Sequence, residues 1–385
     1  MTMTQPTTQQ PLDLTQPLAL RANQREAWHN FPGQGVTFYE AASQILAADA
    51  KDGERRDLGI TALNTYAFGP GPDGTASLAT IPAPGRARQL IPLREHAFGQ
   101  LCGRVKAPVS YMKRLPAKLQ MACINHGIQS DAEQNGNTLR LAGGEARALL
   151  SDRYAALDNH VIIEVMEQVL RAAGMLADVR VRSISTGPTA SMRLTLPDDD
   201  RVIENPRKVG DIVESGFDLL NGEIGNRSVL VGPVVWRLVC LNGMRSADRS
   251  AQQRLRHVGD PERLVEAFRD AVPSALAASR GLRDRMAKAV DVLVDDILAE
   301  FDGLRQFGLT TQDTRDVARD VFAERELALP ESTDEWAQTI AQVRDVTAYD
   351  VLNGVTHVAQ RKGTDRRLEM EEAAGRYLRR RVAAA

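Results

Sequence analysis

The residues of this 385-residue chain best placed to do chemistry are arginines and lysines gathered beside aromatic rings. Between residues 85 and 119 stand Arg86, Arg88, Arg94, Arg104, Lys106, Lys113, Arg114 and Lys118, with Glu95 the one acid and Tyr111 among them. Cations strung along a segment neutralise phosphates, and an aromatic ring offers a face on which an unpaired base can stack. A second group follows Trp236: Arg237, Arg245, Arg249, Arg254 and Arg256, against Asp248. Arginine suits phosphate because its planar fork donates two parallel hydrogen bonds. The expected phosphate contacts are therefore Arg86, Arg88, Arg104, Lys106, Lys113 and Arg114, with Arg245, Arg249, Arg254 and Arg256 extending the track. Tyr111 or Trp236 would stack on bases. The two groups form a groove only if the fold brings them together. The plainer alternative is a solvated basic surface offset by acidic helices elsewhere. A third group, Arg376, Arg379, Arg380 and Arg381, lies where it would complement the dipole of a terminal helix.

Other chemistries have less support. The six histidines show no HxH, HExxH or HxxxH spacing, and the three cysteines no CxxC, so neither a metal nor a cofactor is expected. Asp152, Asp158, Glu164 and Glu223 would serve a magnesium-dependent nuclease only if the fold converged them. No GxSxG elbow, P-loop or GxGxxG turn before a helix is present. Asp152-Arg153-Tyr154 falls between a strand and a helix and reads best as a buried Asp–Arg pair that fixes the turn. Cys240, in an apolar strand, reads as buried and inert.

The bulk numbers narrow the classes further. A net charge of −2 gives no global field toward nucleic acid, so any such site is a local patch. An odd cysteine count argues against a disulfide framework and fits a reducing cytoplasm. The N-terminal stretch has neither the positive charge nor the apolar run of a leader or anchor, and no membrane partner is expected.

These side chains must be positioned by elements that periodicity outlines. A capping box, Thr37-x-x-Glu40, opens a helix. Strands are expected at 60–68 and 75–81 around a Gly-Pro turn, short helices at 94–105 and 116–127, and a hairpin at 138–150 about Gly143-Gly144. An amphipathic helix, 157–173, ends at Gly174. Strand candidates follow at 178–185, 191–196, 212–220, 227–231 and 234–241 with no helix between them, which implies antiparallel pairing. From Asp260-Pro261 onward only helices are expected, at 261–271, 282–301 with an acidic outer face, 312–326, 334–343, 348–360 and 365–381. The fold class is thus α+β, an antiparallel β-meander with flanking helices followed by an all-α C-terminal region. The divisions expected are a disordered tail over 1–20, a core domain over 21–258 and a helical region over 259–385.

Four pieces resemble the bacterial family known as domain of unknown function 932. They are LREHAFGQLC at 93–102, LSDRY-x-x-LDN at 150–159, the strand block 209–244 ending in Leu241-Asn242-Gly243-Met244, and TAYDVLNGVT at 347–356. The resemblance spans roughly residues 85 to 378. It implies occurrence on phages and plasmids and a role near DNA replication, recombination or defence, without a defined activity. The order of helix, meander and helix is also similar to that of single-strand annealing recombinases, which form rings and lay DNA in a basic outer groove. The expectation is a non-enzymatic protein that binds single-stranded DNA, with homo-oligomers possible. The alternatives are a protein-interaction module acting on a host or phage factor, and a metal-dependent nuclease.

Overall fold

Alternation of period two governs the middle of the chain and a period near 3.6 governs its end, and the architecture follows that change. The computed structural model describes residues 13–81, 88–130, 137–205, 208–237, 242–245, 252–330, 335–340 and 343–384. It divides into two units: residues 1–25 with 49–154, and residues 26–48 with 155–385. The expected boundary at 258/259 falls inside the second unit, where the helix beginning at Pro261 packs on the sheet.

In the first unit, two three-stranded antiparallel sheets and three helices enclose one apolar core. One sheet takes Arg55–Ile60, Asn137–Ala142 and Glu145–Ser151, the last two joined at Gly143-Gly144, both with positive φ. A side chain at Gly53 would fall 2.7 Å from the Gly143 backbone, so that approach admits only glycine. The other sheet takes Tyr66–Pro70, Ala76–Thr80 and Leu90–Pro92. Helices Glu95–Arg104, Val109–Met112 and Ala117–Ser130 bury Phe98, Leu101, Met112, Ile124 and Ile128 against them. Of the stretch expected to be a disordered tail, 1–12 lie outside the described residues, and the rest is docked. Leu18 is buried, its N–H donates to Gln120 Oε1 at 3.0 Å, and Ala19 bridges Thr75.

In the second unit, Arg180–Thr186, Thr189–Asn205, Lys208–Gly222, Val229–Arg237 and Asn242–Arg245 run as consecutive antiparallel neighbours. Ala27–Asn30 adds an edge, and Gln253–Leu255 also pairs with Val229–Arg237. This is the expected meander. The two strands read at 227–231 and 234–241 are one, and Leu238–Leu241 of that reading lie outside the described residues, Cys240 with them. Pro233 fits inside it because the outer partner changes there: Gln253–Leu255 covers 229–231, and Asn242–Arg245 covers 234–237.

One sheet face carries Val181, Ile184, Met192, Leu194, Phe217 and Leu219 and is covered by Phe38 and Ile45, by Ile162 and Met166 of helix Asn159–Ala172, and by Phe268 and Val272. Each such side chain contributes about 1.5–3 kcal/mol by leaving water. Thr37 and Glu40 form the expected capping interaction, Thr37 N to Glu40 Oε2 at 2.8 Å. Asp260 caps the helix Pro261–Lys288 by accepting from Glu262 N at 3.0 Å.

Two helix readings are corrected. Helix Pro261–Lys288 continues through Pro273 instead of ending near 271, because its face of Phe268, Val272, Ala275, Leu282 and Met286 stays buried on both sides of the proline. The helix expected over 282–301 is broken between Lys288 and Ile297. There the chain runs extended along the start of helix Ala348–Ala359, with Val294 N on Val346 O at 2.9 Å and Ala348 N on Val292 O at 2.8 Å. The remaining helices, Thr311–Ala323, Trp336–Ile340, Ala348–Ala359 and Thr364–Ala384, close a second apolar core with Val213, Val235 and Met244 of the sheet. The chain is therefore an α+β protein with an all-helical C-terminal stretch.

Candidate nucleic-acid interface

In the first unit, residues 104–119 carry five cations and no acid. The segment is a tight reversal between three helices. Ala107 N donates to Cys102 O at 2.8 Å, and Lys106 takes a left-handed φ of 57° to turn the chain out of helix Glu95–Arg104. Its inner side is anchored. Met112 is buried, and Gln120, also buried, donates from Nε2 to Met112 O at 2.9 Å. That bond ties the first turn of Ala117–Ser130 to the last turn of Val109–Met112. Exposed to solvent along this segment are Lys106, Lys113, Arg114 and Lys118, with Tyr111 53% and Leu119 51% exposed. An aromatic ring left so open is a surface on which a base could stack. Burial pushes the Cys102 thiol behind this segment up to about 11, so it is no nucleophile.

The other members of the first group are placed variously. Arg88 is exposed just before Leu90–Pro92, Arg104 is half-buried at the end of its helix, and Arg86 lies outside the described residues. Arg94 leaves the surface, pairing with Asp52 at 2.6 Å and Glu145 at 3.0 Å. Lys113 pairs with Glu95 at 3.2 Å.

The second group does not form the expected track. Trp236 is fully buried, with the Arg193 guanidinium 5.3 Å from its ring centre, and cannot stack on a base. Arg245 is buried and pairs with Asp218 at 3.1 Å. Arg237, equally buried, makes two 2.7 Å bonds to Asp211. Arg254 and Arg256 are exposed, Arg254 lying 3.5 Å from Glu372, and Arg249 lies outside the described residues. The exposed first group and the surviving second group belong to different units. In the terminal helix, Arg376 donates to Phe307 O at 2.6 Å and Arg381 pairs with Glu300 at 3.2 Å, so both serve packing within their own unit.

Buried Arg245 belongs to a charge network on the polar face of the second unit's sheet, which the sequence reading missed. Arg193 and Asp218 stand opposite each other on neighbouring strands, joined by two 2.6 Å bonds. Arg193 also donates to Glu371 of the C-terminal helix, at 2.6 Å and 3.2 Å, and Arg367 donates to the same carboxylate at 3.2 Å. The Arg367 guanidinium stacks 4.1 Å from the Trp28 ring centre. Arg182 pairs with Glu214 on the same face, while on the opposite face Asp211 pairs with Arg237 and accepts from the Tyr349 hydroxyl at 2.7 Å. The available signal was a charge alternating with apolar residues along a strand. Arg193 sits between Met192 and Leu194, which both face the apolar core on the other side of the sheet.

Asp152 and Arg153 are both exposed, so the expected buried pair is absent; Tyr154 instead lies under the Arg140 guanidinium at 5.7 Å. Glu223 is buried and accepts from Asn159 N at 2.8 Å, which commits it to the start of a helix. Among the described residues no group of three or more His, Cys, Asp or Glu side chains is placed to hold a metal ion. No described helix is long and apolar enough to cross a membrane.

No curated protein and no solved structure matches this chain significantly. The model of one family does match, over residues 147–381, which contains the charge network and leaves residues 104–119 outside. With more than half of its length so matched, the chain belongs to the family described as a domain of unknown function (DUF932).

Proposed function

We propose that this chain is a non-enzymatic nucleic-acid-binding protein that takes single-stranded DNA on the surface formed by residues 104–119, acting as a single-strand annealing or recombination accessory factor. The observation that carries the reading is Tyr111, half-exposed on an anchored turn whose segment also leaves Lys106, Lys113, Arg114 and Lys118 exposed. Stacking on one ring while cations follow the backbone is how sequence-tolerant single-strand binders work.

The test is fluorescence anisotropy of a labelled single-stranded oligonucleotide. Lys106, Arg114 and Lys118, each contacting one phosphate, give a salt slope of roughly −2 on logarithmic axes and a ~20-fold loss of affinity between about 50 and 200 mM salt. Replacing all three with Ala should leave a nearly flat salt response. Tyr111→Ala should cost about 1–3 kcal/mol of affinity. No binding at low salt, or an unchanged triple variant, would refute the reading.

A second reading is a protein-interaction module. It is favoured by Leu293 and Leu298, 55% and 41% exposed, among the exposed Asp291, Asp295 and Asp296. Apolar groups rimmed by acids suit a basic, apolar protein partner. A co-purifying protein lost on Leu293→Asp, with no DNA affinity, would select this reading. Magnesium-dependent cleavage of the oligonucleotide would select a nuclease instead.

A further inference from the structure

Every cation of the 104–119 surface comes without a neighbouring acid in sequence, yet one of them is already neutralised. Lys113 Nζ lies 3.2 Å from Glu95 Oε1. Glu95 is the single acid between residues 85 and 119. Both partners are held by fixed backbone. Glu95 N donates to Arg21 O at 2.9 Å and His96 N to Asn23 Oδ1 at 3.1 Å, while Lys113 N donates to Val109 O at 3.0 Å. The side chains themselves are 49% and 39% exposed, so water and ions reach the pair. A pair that open is worth only a roughly 1.5- to 5-fold bias toward contact, and an incoming phosphate can replace the carboxylate. The buried Arg193–Asp218 pair, 2% and 7% exposed, has no such freedom.

We infer that Glu95 is an internal counter-anion of the interface, resting on the reading of that surface as a phosphate-binding one. In the free protein its carboxylate occupies the phosphate position on Lys113. A bound strand displaces it, and the released negative charge stays beside the strand, so Lys113 adds little net neutralisation. Glu95 thus sets how densely charged a polyanion must be before the surface accepts it. Its negative charge also suits the start of helix Glu95–Arg104, but that contribution acts on helix stability and leaves the salt slope unchanged.

The experiment is a two-by-two comparison on the full chain: wild type, Glu95→Gln, Lys113→Ala and the double variant, each titrated with the same single-stranded oligonucleotide across a salt series. Glu95→Gln should bind roughly 1.5- to 5-fold more tightly at low salt. Its slope should steepen by about 0.7, the increment for one further phosphate on a single strand. Lys113→Ala alone should move the slope little, and the double variant should lose the gain. Binding by all four proteins with equal slopes for wild type and Glu95→Gln would overturn the inference while leaving the interface intact. No binding by any of them would overturn both.

Discussion

Asp211→Asn is expected to unfold the second unit far more readily while leaving the first untouched. The Asp211 carboxylate is fully buried, receives two 2.7 Å bonds from Arg237 and a third of 2.7 Å from the Tyr349 hydroxyl, and is the principal counter-charge of a guanidinium that is itself 2% exposed. Removing its charge takes two charge-assisted bonds from the buried Arg237. Glu324, 3.9 Å away and one-third exposed, returns little of the loss. Breaking a buried pair by deleting one partner costs about 3–5 kcal/mol, which for a unit of this size lowers the thermal midpoint by roughly 6–20 °C. The chain supplies its own probe. All three tryptophans, Trp28, Trp236 and Trp336, belong to the second unit, so intrinsic fluorescence follows that unit alone during urea denaturation. The triple variant Asp211→Leu, Arg237→Met, Tyr349→Phe removes these three groups together and should recover most of the loss, since a well-packed apolar replacement does not incur the desolvation of the ions. A single variant within about 1 kcal/mol of wild type, or a triple variant no better than Asp211→Asn, would refute this account of the network, because the cost is assigned to an uncompensated buried charge.

Two further outcomes follow from the same packing. Burial pushes the Glu371 carboxyl up from its ordinary value of 4.5, but Arg193 and Arg367 outweigh burial and hold it below. A depressed carboxyl contributes stability above its unfolded pKa and loses it on acidification. The stability gap between wild type and Glu371→Gln should therefore be full above pH 4.5 and close as pH falls below it, read by the same urea titrations. Gly216 sits at a register shift where an added Cβ would fall 1.9 Å from Leu194 O, against backbone that cannot yield. Gly216→Ala should abolish the native tryptophan spectrum, whereas Gly103→Ala, with open space around it in the first unit, should leave that unit's stability, read by circular dichroism, unchanged or raised by up to about 1 kcal/mol.

Local signals were legible where the chain settles its own geometry. The helix caps at Thr37 and Asp260, the Gly143-Gly144 turn and the meander all depend on neighbours a few residues away, and each formed where the residue types placed it. The basic segment around Tyr111 is visible in the sequence because its cations lie within one helix–turn–helix stretch, and Lys106, Lys113, Arg114 and Lys118 are exposed there. Helix ends were misread where a remote segment intervened. Pro273 stops a helix in isolation, but not one whose apolar face is buried along its whole length, and residues 289–296 would continue a helix had Val346 and Ala348 not captured their backbone.

What the sequence by itself determined is the α+β class, the order of elements and the presence of a dense basic segment, because periodicity, capping and local charge are written in near neighbours. Tertiary structure alone decided which arginines face water. Arg245 and Trp236 read as an interface, yet strand pairing set Arg245 against Asp218 and Trp236 under Arg193, and the C-terminal helix brought Glu371 across 178 residues to close that face. A charge in sequence carries no mark of its partner. Burial selects the partner, since an arginine withdrawn from water must find a carboxylate, and only the folded chain determines which one is within reach.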